Sequence, residues 1–140
     1  MIILDTNVVS EAMRRRGDPA VAAWLDRQHG RVMCITAVTA AELLRGVALL
    51  PEGKRKADLA GAVALLLETE FEGRILPFDE QAAVNYADLS ARRQRRGLST
   101  SVADTMIAAI TEVSGAEVLA TRNVGDFDGI RVEVLNPWVD

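Results

Sequence analysis

The sequence predicts a three-layer α/β/α domain built on a parallel sheet, and three observations carry that expectation. Short apolar segments alternate with longer segments of helical periodicity along the whole chain. The apolar segments are apolar on both faces, the condition of parallel strands covered by helices on each side. The 140 residues contain no repeat, low-complexity tract or linker, so residues 1–140 are read as a single domain.

The elements follow in order. Residues 1–4 are too short for a helix and end at Asp5, so they read as a buried first strand. Residues 6–16 have mixed helical character. Asp18 and Pro19 mark a helix start, with Pro19 at the first helical position, where its missing N–H costs nothing. Val21, Trp24 and Leu25 give one face of that helix, over residues 20–28, and His29-Gly30 closes it. Residues 32–36 form the second strand. A helix opens near Thr39 and runs to Leu50, where Pro51 and Gly53 break it. Residues 54–70 form another, with Leu59, Val63, Leu66 and Leu67 on one face. Residues 74–77 form a third strand. Asp79 caps a helix over residues 80–96 that Gly97 ends, and Ser101 opens one that closes at Gly115. Residues 117–121 form the fourth strand. Residues 130–135 form the fifth, after a turn at Asp128-Gly129.

Composition removes several function classes. Hydrophobic residues are 49% of the chain and charged residues 26%, the balance of a globular chain with a real core, which excludes disordered and fibrous proteins. No apolar run approaches the roughly 18 residues of a membrane span. No basic segment leading into an apolar stretch opens the chain, so the expected compartment is the cytosol. Cys34 and His29 are each the only residue of their kind, which excludes internal disulfides, cysteine-based zinc sites and His-dependent triads. Sixteen Lys+Arg against 20 Asp+Glu give a net charge of −4, which argues against a simple basic clamp on nucleic acid. A site that holds metal ions escapes that argument, because the ions bring their own charge.

The acids fall where chemistry is expected. Ligands of open α/β sheets bind at the carboxyl ends of the strands. Asp5 ends strand one, Glu42 and Asp104 lie in the first turns of the helices near Thr39 and Ser101, and Asp126 follows strand four. Four carboxylates in one crevice, with no lysine between them, call for hard divalent cations with oxygen ligands. That is the chemistry of metal-assisted phosphodiester cleavage. Each acid also has a plainer reading. Glu42 and Asp104 sit three residues after Thr39 and Ser101, the spacing of a capping box. Asp5 fits a turn, and Asp126 fits a solvated loop.

The segments Ile3-Leu4-Asp5-Thr6-Asn7-Val8-Val9-Ser10-Glu11, Ala41-Glu42-Leu43-Leu44-Arg45-Gly46, Ala103-Asp104-Thr105-Met106-Ile107-Ala108-Ala109 and Thr121-Arg122-Asn123 with Asp126-Phe127 resemble the four motifs of PIN-domain ribonucleases. Their order and spacing match over essentially the whole chain. The subgroup most similar is the VapC toxins of bacterial toxin–antitoxin pairs, in the branch of fast-intracellular-trafficking protein B. The resemblance implies a PIN domain with a five-stranded parallel sheet. It implies an acidic quartet of Asp5, Glu42, Asp104 and Asp126 that is both catalytic and metal-binding, with Thr6 and Asn123 as accessory polar residues. Asp126 and Asp128 both stand near the fourth position, and Asp126 fits the Asn-x-x-Asp-Phe pattern. It further implies a Mg2+-dependent endoribonuclease, with Mn2+ as a substitute, that cuts single-stranded RNA such as tRNA and so inhibits translation. A cognate VapB-type antitoxin would silence it and carry the complex to operator DNA. A homodimer, or a higher assembly with the antitoxin, is expected.

Two local features bear on those partners. Arg92, Arg93, Arg95 and Arg96 form a basic stretch that could meet RNA phosphates, or simply a solvated helix end with cations near its C-terminus. The helices around residues 47–67 carry more apolar residues than one buried face needs, among them Ala48, Leu49, Leu50, Leu59, Val63 and Leu66, which suggests an antitoxin groove or else core and dimer interface. Competing classes fit less well. A haloacid-dehalogenase-like site needs a second acid where Asn7 stands, and a receiver-like domain needs paired acids and a late lysine. Phosphate-binding glycine motifs are absent. A non-catalytic PIN-like module acting with a DNA-binding partner is the remaining alternative, and the intact carboxylate set weighs against it.

Overall fold

The computed structural model describes residues 1–99 and 101–140. Five parallel strands, β1 (Ile2–Leu4), β2 (Met33–Thr36), β3 (Ile75–Leu76), β4 (Val118–Ala120) and β5 (Glu133–Leu135), are ordered β3-β2-β1-β4-β5. The chain lays down β1, β2 and β3 toward one edge, then returns to place β4 on the other side of β1. The crevice where the direction reverses opens at the carboxyl ends of β1 and β4, and Asp5 is the first residue beyond β1.

Side-chain alternation along the strands divides the core into two layers. Ile2, Leu4, Ile35, Val118 and Ala120 face helices α1 (Thr6–Met13), α2 (Pro19–Arg27), α3 (Ala37–Ala48) and α4 (Lys54–Leu65). Ile3, Cys34 and Leu119 face α5 (Glu80–Arg95) and α6 (Val102–Val113), where Leu89, Ile107 and Ala108 are fully buried. Glu112 staples the second layer: it pairs with Arg92 at 2.7 Å and accepts the Arg131 N–H at 2.7 Å. That holds α6, and with it Asp104, against α5.

The helix starts follow their caps. Asp18 accepts the Ala20 N–H with Pro19 beside it, Asp79 accepts the Ala82 N–H, and Ser101 accepts the Asp104 N–H. Gly97, at a φ of 71°, takes the left-handed turn after α5. Several boundaries differ from those the sequence predicts. Helix α3 starts at Ala37, because Thr36 rather than Thr39 is the cap: the Thr36 hydroxyl accepts the Thr39 N–H at 3.1 Å. Helix α4 ends at Leu65 and passes into a π-helical turn, Leu66–Glu70. Strand β3 is two residues long, since Pro77 has no N–H for a ladder. Strand β5 begins at Glu133, after the turn at Gly129.

Candidate active site

A cleft of about 400 Å³ lies at the switch point, lined by Asp5, Thr6, Asn7, Ser10, Glu11, Glu42, Asp104, Arg122, Asn123 and Trp138. Three members of the expected quartet, Asp5, Glu42 and Asp104, and both accessory residues, Thr6 and Asn123, therefore share one cavity. Each arrives from a different element.

Asp5 is held hardest. It is 5% exposed, and its Oδ2 accepts the Thr121 hydroxyl at 2.7 Å while Oδ1 accepts the Thr6 N–H at 2.8 Å. The turn reading is thus partly right, since Asp5 also caps α1. Capping does not explain its burial. Loss of hydration first, then the nearby Asp104 and Glu42, raise its pKa to about 6 against the lowering effect of its hydrogen bonds to Thr121 and Thr6. A carboxylate kept charged at that cost is a candidate for function.

Glu42 lies on the exposed side of α3, one turn past the cap, and is not the acid of a capping box. Its Oε1 accepts the Thr6 hydroxyl at 2.7 Å, and that hydroxyl lies 3.1 Å from Thr39 Oγ1. Thr6 therefore aims Glu42. Asp104 keeps part of its capping character, through Ser101. Its pKa is raised by burial first and by Asp126 among the charges, with a Ser101 hydrogen bond and Arg93 acting the other way.

Asp126 stands in a 3₁₀ turn, Val124–Phe127, near enough to Asp104 to raise its proton affinity, though it does not itself line the cleft. Asp128 has no such effect on Asp104. Among the described residues no three His, Cys, Asp or Glu stand within ligating reach of a common point. The donor set still suits a hard divalent ion in kind: carboxylate, amide and hydroxyl oxygens, with desolvation and like charge that a cation would relieve.

Several residues that shape the site were not singled out by sequence. Asn7 spans Asp5 Oδ2 and Thr121 Oγ1, both at 3.4 Å, and its Oδ1 accepts the Arg122 N–H at 3.1 Å. It lies inside the first motif, so its position was visible and its role was not. The basic stretch on α5 is corrected. Arg93 is 2% exposed and donates from Nη2 to the Asp126 carbonyl at 2.8 Å, while its Nε and Nη1 have no hydrogen-bond partner among the described residues. Arg92 is taken by Glu112 and Asp88. Only Arg95 and Arg96 face outward. The signal was present, because Arg93 follows Leu89 by four residues, on the buried side of the helix. Arg93 sets its charge against Asp128, Asp104 and Asp126 from inside the protein.

A larger groove of about 1510 Å³ adjoins the cleft, and Thr6, Ser10 and Glu42 line both. Its lining includes the apolar residues Met13, Leu43, Val47, Leu50, Leu59 and Val63 and the basic residues Arg14, Arg15, Arg16, Lys54 and Arg55, with Glu42 and Asp58 as its acids. Of the apolar residues expected to exceed one buried face, Val63 is core, Leu50, Leu59 and Leu66 are half-buried, and Leu49 is 66% exposed. Among the described residues no helix is long and apolar enough to cross a membrane.

The PIN domain's sequence profile matches residues 2–131. The chain is 42% identical over 140 residues to Toxin FitB of Neisseria gonorrhoeae, covering 100% of both chains. It is 39% identical over 138 residues to VapC ribonuclease Y4jK of Sinorhizobium fredii, covering 99% of this chain and 98% of that one. Its fold superposes on a chain of the structure of FitAB bound to an IR36 DNA fragment with a TM-score of 0.90, at 40% identity, over 99% of this chain and 96% of that one.

Proposed function

The chain belongs to the PIN-domain family, in its VapC-type toxin branch, and we propose that it is a divalent-metal-dependent, single-strand-specific endoribonuclease whose RNA cleavage stops translation until an antitoxin silences it. The observation that carries the reading is the cleft at the switch point, which Asp5, Glu42 and Asp104 all line and where Asp5 is kept desolvated. Its similarity to a VapC ribonuclease supports the same chemistry.

Asp5, Glu42 and Asp104 would hold Mg2+ or Mn2+, with Asp126 beside Asp104 as the fourth acid. A cation bound there supplies water activation and charge neutralisation at a scissile phosphodiester. The protein's own part is positioning. Thr121 and the Thr6 N–H fix the Asp5 carboxyl, the Thr6 hydroxyl fixes Glu42, and Arg93 anchors the turn that bears Asp126 through its carbonyl. Such second contacts decide whether a ligand set is held in productive geometry. Purified protein should cleave single-stranded RNA in magnesium or manganese and stop in EDTA. Undiminished cleavage in EDTA, by a preparation free of contaminating nuclease, would sink the reading.

The partner follows from the groove. An antitoxin segment carrying both apolar and acidic side chains complements this lining, and its end would reach the cleft at Glu42. Binding of operator DNA by the complex is assigned to the antitoxin, in keeping with the net charge of −4. Charge substitutions at two half-buried positions, Leu50→Glu and Leu59→Glu, should weaken antitoxin binding by more than about 10-fold, since an uncompensated buried charge costs several kcal/mol. Circular dichroism checks that the fold survives. Folded variants with unchanged affinity would remove the groove as the antitoxin site.

A further inference from the structure

Among the described residues one cation lines the acidic cleft, and it is not used by the reading above. Arg122 follows Thr121, the residue that donates its hydroxyl to Asp5. Its guanidinium carbon lies 5.1 Å from the centre of the Trp138 ring. Among the described residues its side chain makes no hydrogen bond or ion pair. This is unexpected for a guanidinium in a cavity shared with Asp5, Glu11, Glu42 and Asp104. Glu11, whose carboxyl feels Arg122, is already engaged: it accepts the Asp18 N–H at 2.8 Å and Arg14 at 3.2 Å.

The shelf under Arg122 is built. The Trp138 backbone N–H donates to Asn136 Oδ1 at 2.9 Å, and Asn136 donates from Nδ2 to the Arg122 carbonyl at 3.4 Å. Asn136 also donates its own N–H to Asp140 Oδ2 at 2.6 Å. The Arg122 N–H is bound by Asn7, which also contacts Asp5. The C-terminal turn, the arginine and the buried carboxylate thus form one connected frame. A guanidinium stacked on an indole keeps its plane fixed and turns its N–H edge outward, which a lysine cannot reproduce. Over the Trp138 ring and without an ion pair among the described residues, the exposed guanidinium is available to an anion.

We propose that Arg122, laid across Trp138, is a binding subsite for a backbone phosphate of single-stranded RNA next to the scissile one. The inference rests on the ribonuclease reading and deepens it. A polyanion entering a cleft of four carboxylates meets repulsion, and a fixed guanidinium on the cleft wall offsets it on one side while setting the register of the strand. The contact goes to phosphate, so it carries affinity and register without base preference.

The probe is a fluorescein-labelled single-stranded RNA of mixed sequence. With full-length Arg122→Gln, KM for cleavage in magnesium should rise by about 5-fold or more with kcat within about 2-fold of wild type, as for loss of one phosphate contact. In EDTA, anisotropy should show weaker binding and a slope of log affinity against log salt that falls by about 0.7, the value for one single-strand phosphate. Arg122→Lys should keep the slope and still lose affinity, since the ammonium is not held by the ring. Trp138→Leu should match Arg122→Lys if it folds; if it does not, the two Arg122 variants decide. Equal affinity and equal slope in wild type and Arg122→Gln overturn the subsite. So does an Arg122→Gln protein unchanged toward RNA but weakened toward poly-glutamate, which would assign the guanidinium to a protein carboxylate. Wild type that does not cleave counts against the ribonuclease reading, whereas the subsite is still read from the EDTA binding.

Discussion

Asp104→Asn is expected to lower RNA cleavage by more than about 100-fold, beyond the 10- to 100-fold typical of contacts one step removed from a metal, and yet to leave the protein in EDTA more stable than wild type. Burial and the nearby Asp126 both disfavour the charged form of Asp104, and they outweigh the Ser101 hydrogen bond and Arg93. An amide of the same shape removes the charge and can still meet the Ser101 hydroxyl. Capping of α6 by Ser101, through the Asp104 N–H, does not depend on the carboxylate. Function and stability therefore pull apart at this position, as at other sites built for chemistry. Thermal melts in EDTA, paired with cleavage assays in magnesium, check both halves. A mutant that melts well below wild type in EDTA would make Asp104 a structural cap and remove its place among the ligands.

In EDTA, lowering the pH from about 7.5 to about 5 should stabilise the wild-type protein. Asp5 has a folded pKa of about 6 against an ordinary value of 3.8. An acid with a raised folded pKa binds more protons native than unfolded between those two values, so stability falls as pH rises through that window. At about 1.4 kcal/mol per unit, the full cost of ionising Asp5 above pH 6 is about 3 kcal/mol. Roughly half is recovered by pH 5, which corresponds to about 5 °C in melting temperature for a domain of this size. Asp104 is shifted the same way and adds to the trend. Glu11 and Glu117, whose pKa values are lowered, oppose it only below their ordinary value of 4.5. Magnesium should flatten or reverse the trend, because a cation needs its carboxylates deprotonated. A melting temperature that climbs steadily toward neutral pH in EDTA would contradict the account of Asp5.

The sheet and the acids were legible in the sequence for the same reason. Buried parallel strands must be short, apolar and followed by a turn, so an acid placed directly after one, as Asp5 is, stands out. Helix beginnings were legible where a cap precedes an apolar face, as at Asp18, Asp79 and Ser101. The start of α3 was misplaced because Thr36 and Thr39 both suit a cap, and only the hydrogen bond from the Thr39 N–H to Thr36 distinguishes them. Arg93 was hidden among four arginines whose composition says surface, although its spacing from Leu89 says core. The pairing of Arg122 with Trp138 was not legible at all. It depends on a turn at residues 136–140 folding back on the loop after β4, a tertiary contact that no local pattern encodes.

The place of β1 at the centre of the sheet has a consequence for synthesis. Its partner β4 is made more than a hundred residues later, and the bond from Thr121 to Asp5 joins residues 116 apart in sequence. Contacts of such separation form late and slowly, since the intervening loop must first be closed. At ribosomal rates of about 5–20 residues per second, the nascent chain carries Asp5 and Glu42 for several seconds with no β4 to pack beside β1. In that interval Thr121, which fixes the Asp5 carboxyl, is not yet made, and Asp104 joins the chain only near the interval's end. The topology therefore keeps the acidic cleft from assembling until Asp104, Thr121 and Asn123 have all been translated.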